Sequence, residues 1–268
     1  MDLSNTTCTF TSYTDSDTAN KCEFLKYVNL TNFKGSISLT KCINLETLIL
    51  NKAYINTLEV NPYLGDCKFT GTHIKTLSIT TLKEGASFYL DDDDMLESLT
   101  IEGFEDVTIK HCPKLKNLYI IDREKTDGGK TELKKLTINN CPNDIIVQGT
   151  HVLDKKLDLT SLTSLTLNST RFDATKINEI TLGAPLESVT SGIDIADGSY
   201  TLNMTLDLSR CTTDNLKSFN LYRSMFKVVN FGTARTTELG TDITNRVYGS
   251  FINILKGNFK IKTASGVF

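Results

Sequence analysis

One spacing of apolar residues runs through the chain: apolar, two residues, apolar, one residue, apolar. It occurs at Leu25, Val28 and Leu30, and again at Leu45, Leu48 and Leu50. It returns at Ile74, Leu77 and Ile79, at Leu96, Leu99 and Ile101, and at Leu115, Leu118 and Ile120. Leu133, Leu136 and Ile138, then Leu162, Leu165 and Leu167, then Leu216, Phe219 and Leu221 continue this first series, with a degraded copy at Leu186 and Val189. The last apolar positions of each copy alternate with Thr, Glu, Lys and Ser, as a strand with one buried face requires. A second series follows about ten residues behind the first, at Ile55, Leu58 and Val60, at Phe104, Val107 and Ile109, at Ile177, Ile180 and Leu182, and at Phe226, Val229 and Phe231.

No stretch carries the longer 3.6-residue period of a helix. Copies recur at roughly 18 to 30 residues, the repeat length of solenoids. A single short strand cannot cover its own apolar face, whereas stacked parallel copies bury a continuous core. The pattern therefore predicts an all-β parallel solenoid, leucine-rich-repeat-like in its spacing, with two short strands per turn on opposite sides of a flattened coil. The 38 threonines among 268 residues fit that expectation, because β-branched side chains suit a pleated surface.

Four cysteines share one phase. Cys42, Cys112, Cys141 and Cys211 each stand three residues past the last apolar strand position. In leucine-rich repeats that slot holds Asn or Cys, turned inward where the strand ends. The seven cysteines are odd in number and scattered, so a disulfide framework is not expected, and most are read as buried free thiols. On the segments Cys42–Leu50 and Cys112–Ile120 the chain resembles the cysteine-containing, BspA-like leucine-rich-repeat proteins of gut Bacteroidetes, whose repeats also occur in their phages. The resemblance spans about residues 24–231. It implies binding or scaffolding rather than catalysis, and it supplies no catalytic residues.

Three segments are expected: an N-terminal cap over 1–23, the solenoid over 24–231, and a C-terminal cap or docking segment over 232–268. In the last segment Phe251, Phe259 and the terminal Phe268 are candidate contact residues, and a hairpin is expected around Lys256 to Asn258. The polar, glycine-bearing stretch from Asp122 to Thr131 reads as a protruding loop, with Arg123 and Lys125 as candidate contacts. Tyr119 and Tyr222 sit between apolar strand positions and should face outward as further contacts.

Charge and candidate chemistry narrow the function. Net charge is −3, without the basic excess of a nucleic-acid-binding face. No signal peptide is read at the N-terminus and no apolar run is long enough to span a membrane. Virion or cytoplasm is the expected location, with the cell surface as the alternative. The run Asp91 to Asp94 reads as a solvated turn, with Ca²⁺ binding as the sharper alternative. His73, His111 and His151 fall in different phases, so no metal site is expected. Glu46, Glu59, Glu97 and Asp207 are mixed with Thr and Lys, as on any solvated sheet face, so no catalytic pair is assigned and no cofactor is expected. The expectation is a non-catalytic scaffold whose partner is protein, either itself or other subunits of an assembly such as a phage virion or tail. A surface adhesin or recognition module, for which glycan is a possible partner, is the second reading, and a polysaccharide-active solenoid enzyme the third.

Overall fold

Val28, Leu48, Cys67, Phe88 and Val107 stand side by side on successive strands and are all buried. That column is the core of a parallel β-solenoid. The computed structural model describes residues 2, 4, 7–11, 25–39, 42, 44–60, 64–125, 128–192, 204–211, 218–222, 226–230, 260–263 and 266–267. Every regular element among them is a strand. The chain divides into two compact units, Met1–Leu133 and Lys134–Phe268.

The first unit holds β1 (Thr7–Thr11), β2 (Tyr27–Asn29), β3 (Lys34–Leu39), β4 (Thr47–Ile49), β5 (Tyr54–Val60), β6 (Cys67–Thr70) and β7 (His73–Ile74). It continues with β8 (Thr76–Thr80), β9 (Ser87–Asp91), β10 (Ser98–Glu102), β11 (Asp106–Lys110), β12 (Asn117–Ile121), β13 (Arg123–Glu124) and β14 (Lys130–Thr131). Strands β2, β4, β6, β9 and β11 pair in parallel as one ladder. On the other side of the coil β1, β3, β5 and β7 pair in parallel, and so do β8, β10 and β12. Leu77, Leu99 and Leu118 form one buried row there and Ile79, Ile101 and Ile120 the next.

The second unit holds β15 (Lys135–Gly149), β16 (Val152–Leu153), β17 (Lys156–Leu159), β18 (Ser164–Phe172), β19 (Glu179–Leu182) and β20 (Ser188–Gly192). It ends with β21 (Met204–Asp207), β22 (Ser218–Tyr222), β23 (Phe226–Asn230), β24 (Lys260–Thr263) and β25 (Gly266–Val267). Strands β15, β18, β20 and β22 form one parallel ladder. Strands β17, β19, β21, β23 and β24 form the other, and β25 folds back on β24 antiparallel. The hairpin of this region is thus β24–β25. The one expected around Lys256 to Asn258 lies outside the described residues.

One part of the sequence reading needs correction. The first apolar series does not mark one side of the coil. In the first unit Val28 and Leu48 belong to the β2–β11 ladder, while Leu77, Leu99 and Leu118 belong to the opposite side. Val107 and Ile109, assigned to the second series, return to the β2 side. Both sides of a flattened coil bury alternate residues against the same core, so both demand the same spacing.

The cysteines do turn inward. Cys42, Cys112, Cys141 and Cys211 are buried free thiols, and so is Cys67. The Cys42 amide closes a turn onto Leu39 O (3.0 Å), and Leu45 N–H returns to Cys42 O (3.0 Å). Cys112 Sγ donates to Lys110 O at 3.2 Å. A small side chain with a weak donor fits this tight bend.

Candidate functional site

The passage from the β2–β11 side to the opposite side is made on a repeated corner. A residue of positive φ occupies it on each turn: Asn32 (57°), Lys52 (53°), Gly71 (63°), Asp92 (64°) and His111 (49°). The next residue points inward and is buried: Phe33, Ala53, Thr72, Asp93 and Cys112. The corner amides keep the ladder going. Asn32 N–H donates to Asn51 O (2.9 Å), Lys52 N–H to Thr70 O (3.1 Å), Gly71 N–H to Asp91 O (2.9 Å) and Asp92 N–H to Lys110 O (3.1 Å). Stacked corners therefore hold their side chains in fixed columns.

Two of these columns line a groove of about 550 Å³. The corner residues Asn32, Lys52, Gly71 and Asp92 form one edge, and Lys34, Tyr54, His73 and Asp94, each two residues further on, form the other. The Tyr54 and His73 rings stack with centroids 4.0 Å apart and planes 14° off parallel. Lys34 Nζ lies 5.3 Å from the Tyr54 centroid. His73 Nδ1 and Asp94 Oδ1 are 2.6 Å apart. The second column is thus a connected chain of ammonium, phenol ring, imidazole and carboxylate.

The acidic run is solvated at only part of its length: Asp92 and Asp94 are exposed, Asp91 is half-buried and Asp93 is buried. Asp91 ends β9 and contacts His111 Nδ1 (2.7 Å) while accepting from Tyr89 Oη (2.8 Å). Burial pushes its carboxyl up, but those two hydrogen bonds outweigh it and hold Asp91 below its ordinary value. The same bond to Asp91 pushes the Tyr89 phenol up. Lys68 and Lys110 flank the Tyr89 ring at 5.5 and 5.3 Å. Asp93 is buried and accepts four hydrogen bonds, from Thr72 Oγ1 (2.8 Å) and from the amides of Ile74 (3.0 Å), Met95 (2.9 Å) and Leu96 (3.0 Å). Its pKa is nevertheless raised, because burial outweighs the donors. His73 from the preceding turn and His111 from the following one therefore grip the two ends of this run. His151, in the second unit, has Nδ1 2.9 Å from Asp158 O.

The other sequence candidates lie elsewhere. Tyr119 is half-buried on β12 between buried Leu118 and Ile120, in register with Thr100. The Asp122 to Thr131 stretch contains the antiparallel pair β13–β14, in which Arg123 N–H donates to Thr131 Oγ1 (3.0 Å). Lys125 pairs with Glu84 at 2.8 Å. Tyr222 closes β22 opposite Gly192. Phe251, Phe259 and Phe268 lie outside the described residues. Glu46 pairs with Lys26 (2.8 Å), Glu97 with Lys75 (3.4 Å), and Asp207 accepts from Asn230 (3.1 Å). Among the described residues no group of three or more His, Cys, Asp or Glu side chains is arranged to hold a metal ion, and no helix is long and apolar enough to cross a membrane.

Comparison with known proteins finds no matching family, no matching curated protein and no matching solved structure.

Proposed function

We propose that the chain is a non-catalytic, protein-binding scaffold of the cysteine-containing leucine-rich-repeat kind, built as a structural subunit of a larger assembly such as a phage virion or tail. The observation that supports this reading is the outward face of the second unit. Thr137, Thr166 and Thr190 stand abreast on β15, β18 and β20, with Asn139 and Asn168 in the adjacent row. Ser188 and Ser164 are joined hydroxyl to hydroxyl at 2.9 Å. Short side chains already fixed by a ladder lose little conformational freedom when another surface covers them. Along these rows Lys135, abreast of Ser164, is the one charged residue, so little charge has to be desolvated. The partner of this face is another copy of the chain or a companion subunit.

Light scattering behind size exclusion on the untagged chain tests the reading. A mass that exceeds the 29.8 kDa of one chain and grows with concentration supports self-assembly. A monomer at every concentration overturns self-assembly and leaves a companion subunit as the partner of this face. A recognition module at a surface is the second reading, and the mixed-charge groove of the first unit is the feature that favours it.

A further inference from the structure

The groove at the stacked corners carries charges that have no ion partner among the described residues. Among the described residues Lys34 and Lys52 enter no ion pair, and the Asp92 carboxylate accepts no hydrogen bond. All three are exposed, while the Tyr54–His73 stack between them is held from both sides, by Lys34 at one end and Asp94 at the other. The groove therefore has an aromatic floor, two ammoniums without an ion partner on the side of the earlier turns, and carboxylates on the side of the later ones.

We propose that this groove binds an acidic saccharide, a sugar carrying a carboxylate among its hydroxyls. The carboxylate meets Lys34 and Lys52, which supply charge-assisted donors. The hydroxyls donate to Asp92 and to the Asp94 oxygen left over from His73. The exposed rim of Tyr54, 45% accessible, contacts the ring carbons. Three steps between stacked turns span roughly 14 Å, about the length of two sugar rings. The volume of about 550 Å³ falls within the range of small-molecule sites. A neutral sugar leaves both ammoniums without a counter-charge. A small anion lacks the hydroxyls that satisfy Asp92. Specificity follows from the groups a wrong ligand leaves unpaired. This site stands whether or not the scaffold reading holds.

The test is calorimetric titration of the intact chain with digalacturonic acid, diglucuronic acid, dimannuronic acid and N-acetylneuraminic acid. The methyl ester of each acid and sodium acetate serve as controls. The expected result is saturable binding of at least one acid, weakened about tenfold or more in its methyl ester. Lys52→Gln and Asp92→Asn each weaken it by about tenfold, with unchanged circular dichroism. No saturable binding of any acid overturns the proposal. So does binding equal to that of the methyl ester or of acetate, or binding that both variants leave intact. Light scattering on the same samples reads the scaffold proposal separately.

Discussion

Asp93 accepts a hydrogen bond from Thr72 Oγ1 at 2.8 Å, and both residues are fully buried at consecutive corners of the first unit. The same carboxylate accepts the amides of Ile74, Met95 and Leu96, so one side chain joins two turns. Asp93→Ala leaves a buried hydroxyl and three amides without an acceptor. Each such group costs about 1–3 kcal/mol, less whatever water recovers. The expected loss is about 3 kcal/mol or more, read as a lower urea midpoint. A loss under about 1 kcal/mol is incompatible with this role for Asp93.

The pH dependence of that joint has a definite sign. Asp93 is raised above 3.8 in the folded chain, so folding takes up a proton just above 3.8. Its contribution is fully present below 3.8 and is lost as pH rises through the raised folded value. Asp91, lowered from 3.8, behaves oppositely: its contribution is present above 3.8 and is lost as pH falls through the lowered folded value. Urea titrations between pH 3 and 7 separate the two. The stability of the wild type relative to Asp93→Asn should rise as pH falls toward 3.8. Relative to Asp91→Asn it should fall below 3.8. Parallel curves for the two variants contradict the assignment.

Ser191 occupies a core slot in register with Leu167 and Leu221, yet among the described residues its hydroxyl has no hydrogen-bond partner. A buried, unsatisfied hydroxyl is destabilising, and removing it relieves that cost. Ser191→Ala should stabilise the chain by about 1 kcal/mol, and Ser191→Val by as much or more where the column accepts the extra methyls. The check is a higher midpoint in chemical denaturation with an unchanged slope.

The strand motif itself was legible, because alternation against a shared core leaves a direct trace in sequence. The inward cysteines were legible for the same reason. In the second unit the two apolar series do fall on separate ladders, with Leu136, Leu165 and Val189 on one and Ile180 and Val229 on the other. In the first unit they do not. There the copies at Leu64, Cys67 and Phe69 and at Ala86, Phe88 and Leu90 carry small residues in apolar slots, and without them the two sides of the coil exchange places in the count. The groove was harder to see. Lys34, Tyr54, His73 and Asp94 come from four different turns, and only the positive-φ corners bring them together. Their spacing, close to 20 residues at each step, was the available signal, and the charge run at Asp91 to Asp94 concealed it.

Five thiols should be silent in the folded chain. Cys42, Cys67, Cys112, Cys141 and Cys211 are buried, and burial pushes the Cys67 thiol up, away from the reactive thiolate. Alkylation under native conditions, read by mass spectrometry of peptides, should leave these five unmodified and label them only in denaturant. Rapid native labelling of Cys112 or Cys141 is incompatible with their inward corner positions.

Two glycines of positive φ separate strain from crowding. Gly103 has φ +82°, and a Cβ built there would lie 2.4 Å from Thr81 O, a backbone atom of a residue that is itself buried and bonded to Leu64 O (2.7 Å). Gly85 has φ +69°, and among the described residues a Cβ there meets nothing within 4 Å. Gly85→Ala should therefore cost only the left-handed conformation, about 1 kcal/mol. Gly103→Ala adds a clash that only backbone movement can relieve, and should cost about 3 kcal/mol or more. Each variant adds one methyl group to a glycine in the same left-handed backbone region, so their urea midpoints isolate the close approach of Gly103 to the preceding turn. Equal losses mean that the Thr81 carbonyl yields freely. In that case the corner between β10 and β11 is softer than the stacked, fully bonded corners at Lys52 and Asp92.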